Sequence, residues 1–125
     1  MNLNQITVPS VDVPRAIEFY KVLGLKLIVH TPNRYARFEC PMGESTFSIH
    51  NVEHLPSGEG IFIYFEVADV VRKVNELRTL GVEIESEPID QSWLWKEARL
   101  KDPDGNQIII YHAGENRKNP PWRKA

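Results

Sequence analysis

Residues 12–25 read DVPRAIEFYKVLGL. Asp12 belongs to the residue types whose side chain caps the unpaired N–H groups at a helix start. Pro14 suits the first turn, where its missing N–H costs nothing. Val13, Ala16, Ile17, Tyr20 and Leu23 then recur at the three-and-four spacing of one helical face. Gly24 stands where a left-handed residue closes a helix. Upstream, Gln5 to Val8 alternates as a half-buried strand does. Downstream, Leu25 to His30, Tyr35 to Cys40 and Thr46 to Asn51 are expected strands.

The pattern occurs twice. Sliding the sequence so that Asp12 meets Asp69 also lays Leu23-Gly24-Leu25 on Leu80-Gly81-Val82, and Ile6 and Val8 on Ile63 and Phe65. Later the offset grows: Arg37 meets Arg99, Pro41-x-Gly43 meets Pro103-x-Gly105, and His50 meets His112. The change implies a longer loop in the second half, around Glu87 to Leu94. The second half therefore has a strand over Ile61–Val67 and a helix capped by Asp69, with Val70, Val74 and Leu77 inward and Gly81 at its end. Strands at Val82–Ser86, Lys96–Lys101 and Gln107–His112 complete it. Pro103-Asp104-Gly105 is a strong turn signal between the last two. The order is βαβββ in tandem, an α+β fold with curved mixed sheets. Each helix covers the outer face of its sheet and leaves the inner face free to line a ligand cavity. Residues 1–112 are expected to form a single domain, with module one at 1–54 and module two at 60–112. The tail, 113–125, lacks periodicity and contains Pro120-Pro121, so it is either disordered or laid over a surface; Trp122 favours some docking, since an exposed indole gains by burial.

A chain of 125 residues buries roughly two-thirds of its unfolded surface, enough for a core without staples. Acids and bases are interspersed at a net charge of -2, which argues against nucleic acid as a partner. No apolar run approaches the ~20 residues that span a bilayer. Cys40 is the single cysteine, so no intrachain disulfide forms, and with an N-terminus unlike a signal peptide this points to the cytoplasm.

Strand alternation separates the sheet faces. Ile6, Val8, Phe47, Ile49, Ile63, Phe65, Ala98, Leu100, Ile108 and Ile110 are expected under the helices. The other face then carries Gln5, Thr7, Tyr35, Arg37, Glu39, Ser48 and His50 from module one. From module two it carries Phe62, Tyr64, Glu66, Glu97, Arg99, Ile109 and Tyr111. Aromatics mixed with a few charges suit a small-molecule pocket. Trp93 and Trp95, facing one way in an extended chain, are a further aromatic wall, or else core or interface anchors. Glu97 and Arg99 either pair with Arg37 and Glu39 in a salt-bridge ladder or leave the arginines to clamp an anion.

The segment Asp12-x-x-x-Ala16-Ile17-x-Phe19-Tyr20-x-x-Leu23-Gly24-Leu25 resembles the opening helix of vicinal oxygen chelate proteins. Lys101-Asp102-Pro103-Asp104-Gly105-Asn106 resembles their closing hairpin. This is the glyoxalase/bleomycin-resistance/extradiol-dioxygenase superfamily. The resemblance implies the tandem βαβββ fold and a choice among lyases, isomerases, dioxygenases, transferases and metal-free drug binders, which the site must decide. Metal-using relatives hold their ion at four strand positions. Those positions fall on Gln5, Ser48, Phe62 and Ile109. Phe62 and Ile109 cannot ligate and Ser48 is a poor ligand, so no metal and no other cofactor are expected. The first reading is a metal-independent binder of a planar or anionic small molecule, with Gln5, Arg37, Ser48, Phe62, Tyr64, Trp93, Trp95, Arg99, Ile109 and Tyr111 as contacts. The alternative is a glyoxalase-like lyase or isomerase, or a dioxygenase with an atypical metal site. It would take Glu66 or Glu39 as base, with His50 assisting proton transfer. A homodimer is expected because proteins of this kind commonly pair.

Overall fold

The computed structural model describes all residues, 1–125. Two compact units emerge. One comprises Met1–Gly60 with the turn Asp102–Asn106; the other comprises Ile61–Lys101 with Gln107–Ala125.

In the first unit, β1 (Gln5–Ser10) leads into α1 (Val13–Leu23), followed by β2 (Lys26–Thr31), β3 (Tyr35–Glu39) and β4 (Thr46–Asn51). The sheet order is β1-β4-β3-β2, with β1 parallel to β4 and the other pairs antiparallel. The helix signals act as expected. Asp12 accepts the Arg15 N–H at 3.2 Å. Gly24 sits at φ 104, where its N–H reaches the Lys21 carbonyl. Tyr20 anchors the core, fully buried against Phe47 at 4.5 Å and Phe38 at 6.0 Å between ring centroids. Its hydroxyl donates to Asp102 Oδ2 at 2.6 Å. Asp102 in turn accepts the N–H groups of Asp104 and Asn106 and the Asn106 side-chain amide, which also donates to the Pro9 carbonyl. A buried carboxylate is tolerable only with such a full set of donors.

The second unit repeats the order with β5 (Phe62–Glu66), α2 (Val70–Thr79), β6 (Ser86–Asp90), β7 (Lys96–Lys101) and β8 (Gln107–His112), then a short 3-10 turn over Gly114–Arg117. Its sheet order is β5-β8-β7-β6. Val70, Val74 and Leu77 are buried on α2, at the positions the helical spacing gives, and Ile63, Ala98, Leu100, Ile108 and Ile110 are buried on the strands, at positions the alternation assigns inward. No helix is long and apolar enough to cross a membrane.

Three expectations need correction. The strand expected at Val82–Ser86 is instead Ser86–Asp90, inside the stretch read as a loop. Val82 is spent closing α2, its N–H bonded to the Leu77 carbonyl, so pairing with β7 starts only where the Glu85 N–H meets the Arg99 carbonyl. Pro88 is tolerated because β6 is an edge strand, broken by a bulge between Ser86 and Ile89. The chain at Trp93–Trp95 is not extended. Gln91 to Leu94 form a tight turn in which Leu94 takes a left-handed φ of 69, so Trp93 and Trp95 leave it in different settings. Finally, His50 does not correspond to His112. Thr7 pairs with Ser48 as Tyr64 pairs with Ile109, which makes Tyr111 the counterpart of His50.

Candidate functional site

The face of each sheet turned away from its helix carries the candidate residues. In the first sheet, cross-strand register lines up Gln5 with Thr46, Thr7 with Ser48 and Arg37 with Ser48, with His50 next to Tyr35. Gln5 is exposed, and its Oε1 accepts a hydrogen bond from the Thr46 hydroxyl at 2.8 Å. Ser48 is fully buried, its hydroxyl 2.6 Å from that of Thr7. Arg37 Nε donates to the Tyr35 hydroxyl at 2.8 Å, with the guanidinium over the same ring at 5.4 Å. Partial burial pushes the Tyr35 phenol up, but hydrogen bonds with Ser48 and Arg37 and the guanidinium charge outweigh it, leaving its pKa below the ordinary tyrosine value. His50 is exposed near the end of β4. Glu39 pairs with Lys26 on β2 at 3.7 Å, so its ion pair lies within its own sheet.

The second sheet presents an aromatic group. Tyr111 is buried and packs with Ile109, Ala113 and Trp95. Tyr64, Trp95 and Tyr111 contact one another, with centroid separations of 4.9 to 5.8 Å. Two of these contacts are edge-to-face, the geometry that ring quadrupoles favour. Tyr64 stays 42% exposed and Phe62 37%, large apolar surface left on the outside of a sheet. Arg99 lies over the Phe62 ring at 5.4 Å. Burial and the Glu97 charge raise the Tyr64 pKa against the pull of Arg99; burial and Glu66 raise that of Tyr111. Trp93 is separate from the three rings. Its indole N–H donates to Glu97 Oε2 at 2.6 Å.

Glu66, the last residue of β5, is hydrogen-bonded to the start of the tail. Its Oε2 accepts the N–H groups of Ala113 and Gly114 at 2.7 and 2.9 Å. Burial raises its pKa, but these two N–H groups, then His112 and Arg117, outweigh that and hold the carboxyl below the ordinary value. The carboxylate ties the start of the tail to β5, and the Trp95 indole adds a bond to the Asn116 carbonyl at 3.3 Å. Glu66→Ala is therefore expected to speed amide exchange at Ala113 and Gly114 and proteolytic cutting of the tail, with the β7–β8 amides unchanged. In the unaltered chain the anchor is present above the unfolded carboxyl pKa of about 4.3 and is lost as pH falls through the lower folded value, so exchange at the two amides should rise only in acid.

At the four positions that the resemblance assigns to a metal, the donor chemistry does not fit a divalent ion. Phe62 and Ile109 offer no donor, the Ser48 hydroxyl is buried against Thr7, and only Gln5 carries a carbonyl oxygen. No group of three or more His, Cys, Asp or Glu side chains is placed to hold one. Sequence reasoning missed the orphaned Glu97 Oε1, buried with no donor, and it expected the tail to dock through Trp122, which is exposed, whereas the tail attaches at Glu66 and the Trp95 indole. Alternation placed Glu97 on the correct face, but only coordinates reveal which oxygen lacks a partner.

Comparison with known proteins matches this architecture. Residues 2–110 match the Glyoxalase/Bleomycin resistance protein/Dioxygenase superfamily. The uncharacterized protein YraH of Bacillus subtilis (strain 168) is 31% identical over 127 residues, covering 89% of this chain and 98% of its own. A lactoylglutathione lyase from Agrobacterium tumefaciens superposes with TM-score 0.75 at 18% identity, over 89% of this chain and 92% of that one. A bleomycin-binding protein complexed with bleomycin superposes with TM-score 0.72 at 17% identity, over 90% and 98%. The chain belongs to the glyoxalase/bleomycin resistance protein/dioxygenase superfamily.

Proposed function

We propose that this protein is a metal-independent small-molecule-binding member of the superfamily that sequesters a toxic planar or anionic compound. The observation that carries the reading is the Tyr64, Trp95 and Tyr111 group on the open face of the second sheet, beside Ile109 and Phe62 where metal-using relatives place ligands. Rings fixed edge-to-face give a planar body a large contact area at little entropic cost. Arg99, held over Phe62, offers a guanidinium to an anionic substituent, and Arg37 does the same on the first sheet with Ser48 and Gln5 nearby. The fold shared with a bleomycin-binding protein agrees with this.

The rival reading, a lyase, isomerase or dioxygenase, takes as its base Glu39 or the tail-holding carboxylate of Glu66. That carboxylate accepts two backbone N–H groups through one oxygen, which depresses its basicity. Glu39 is ion-paired with Lys26 at 3.7 Å, and His50 is the residue left to assist proton transfer. The proposal includes a homodimer, supported by the apolar Ile28 and Val29 exposed on edge strand β2, and a cytoplasmic setting, supported by the lone thiol of Cys40. A monomer of 14.4 kDa by light scattering would count against the dimer.

A thermal-shift screen over planar aromatic anions, thiol conjugates and divalent metals tests the binding. Ligands of the native state raise its melting temperature, by an amount set by concentration over Kd. Aromatic compounds are expected to shift the transition and metals are not. A shift from metals with none from aromatics would reverse the assignment.

A further inference from the structure

Glu97 is the one charged side chain on the open face of the second sheet that is almost wholly buried, at 2% exposure. It lies opposite Tyr111 across the β7–β8 ladder, and its charge is felt by the Tyr64 phenol. Oε2 accepts the Trp93 indole N–H at 2.6 Å, while Oε1 is buried with no donor from the chain. Burying a carboxylate oxygen without a donor is costly, and such orphans are rare enough in folded proteins to demand a cause. The buried Asp102 differs, since both its oxygens accept hydrogen bonds. The aromatic rings beside Glu97 favour one kind of missing partner, because ring faces attract cations and N–H donors. Arg99, the other charge on β7 facing this way, is directed to Phe62 and forms no ion pair with Glu97. The residue bonded to the other oxygen is Trp93, itself 42% exposed and followed by Leu94 in the left-handed region. A non-glycine residue held there stores backbone strain, so this turn is the element best placed to shift and admit a ligand.

We infer that the ligand carries a protonated nitrogen, an ammonium or amidinium group attached to its planar body, which donates to Glu97 Oε1 among Tyr64, Tyr111 and Trp93. This rests on the ligand-binding reading above and narrows it: the recognised class is an aromatic amine in its cationic form, with any anionic substituent left to Arg99.

Calorimetric titration of the full chain with one naphthalene skeleton in three forms tests the inference: 2-naphthylethylammonium, the matching neutral alcohol and the matching carboxylate. The ammonium is expected to bind at least about tenfold tighter than the alcohol, as a charge-assisted bond to a buried carboxylate implies. Glu97→Gln, which preserves shape and an acceptor for Trp93, is expected to bring the ammonium down to the affinity of the alcohol, with the melting temperature reporting that the variant is folded. Equal binding of ammonium and alcohol, or an ammonium affinity indifferent to Glu97→Gln, overturns the inference and leaves the aromatic site standing. Binding by none of the three overturns both.

Discussion

Replacing Asp102 with alanine is expected to destabilise the chain by about 3 kcal/mol or more, because it strands one buried and three part-buried donors at once, and a buried donor alone costs about 1–3 kcal/mol. The Tyr20 hydroxyl, the N–H groups of Asp104 and Asn106 and the Asn106 amide all address this one carboxylate, which is 5% exposed. Tyr20→Phe should cost less, about 1–2 kcal/mol, since Asp102 Oδ2 retains the Asn106 amide as donor. Chemical denaturation of the two variants beside the unaltered chain gives both values. The same pair predicts an alkaline limit. Burial first, then the charge and hydrogen bond of Asp102, raise the Tyr20 phenol far above the ordinary tyrosine value. The folded chain thus keeps this proton where the unfolded chain, titrating near ~10, releases it. With the folded pKa raised, the stability is fully present below about pH 10 and declines as pH rises beyond it, and Tyr20→Phe should flatten that decline. An Asp102→Ala variant as stable as its parent would show that the carboxylate is not what holds this turn.

Tyr111→Ala is the second large effect. The ring is 5% exposed, packs with Ile109, Ala113 and Trp95, and meets Tyr64 edge-on at 5.3 Å. Truncating a buried aromatic costs about 3–5 kcal/mol, from lost transfer energy and the cavity left behind. Here it should also abolish aromatic binding, since Tyr64 and Trp95 lose the ring that both lean on. Tyr111→Phe keeps the packing and is expected to retain most of the stability and the binding. A folded Tyr111→Ala chain that still binds aromatic ligands would move the site away from this group.

The fold was legible because its punctuation is local. Asp12 and Asp69 cap by side-chain geometry, and Gly24 and Gly81 both adopt the positive φ that side chains disfavour. Alternation assigned both sheet faces because a period of two leaves no third choice, and Ile63, Ala98, Leu100, Ile108 and Ile110 are buried accordingly. β6 escaped for a physical reason: edge strands tolerate proline and bulges, so Pro88 reads as loop when it is not. The turn around Leu94 escaped because leucine is not a residue that signals a left-handed position, whereas Asn33 in the matching turn of the first unit, at φ 61, does. In the site, the side-chain types at the positions that the resemblance assigns to a metal could be read from sequence, since Phe62 and Ile109 lack donors whatever the geometry. The use of Glu66 to hold the tail could not. It depends on the N–H groups of Ala113 and Gly114, which carry no side-chain signature.

Elemental analysis of protein purified without chelators bears most directly on the question. The resemblance puts the ligands of metal-using relatives at positions held here by an aromatic and an aliphatic side chain, Phe62 and Ile109, so only trace, substoichiometric nickel, zinc, manganese or iron is expected with the folded chain. One equivalent of any of these, retained through gel filtration and lost on substitution of Gln5 or His50, would contradict the reading.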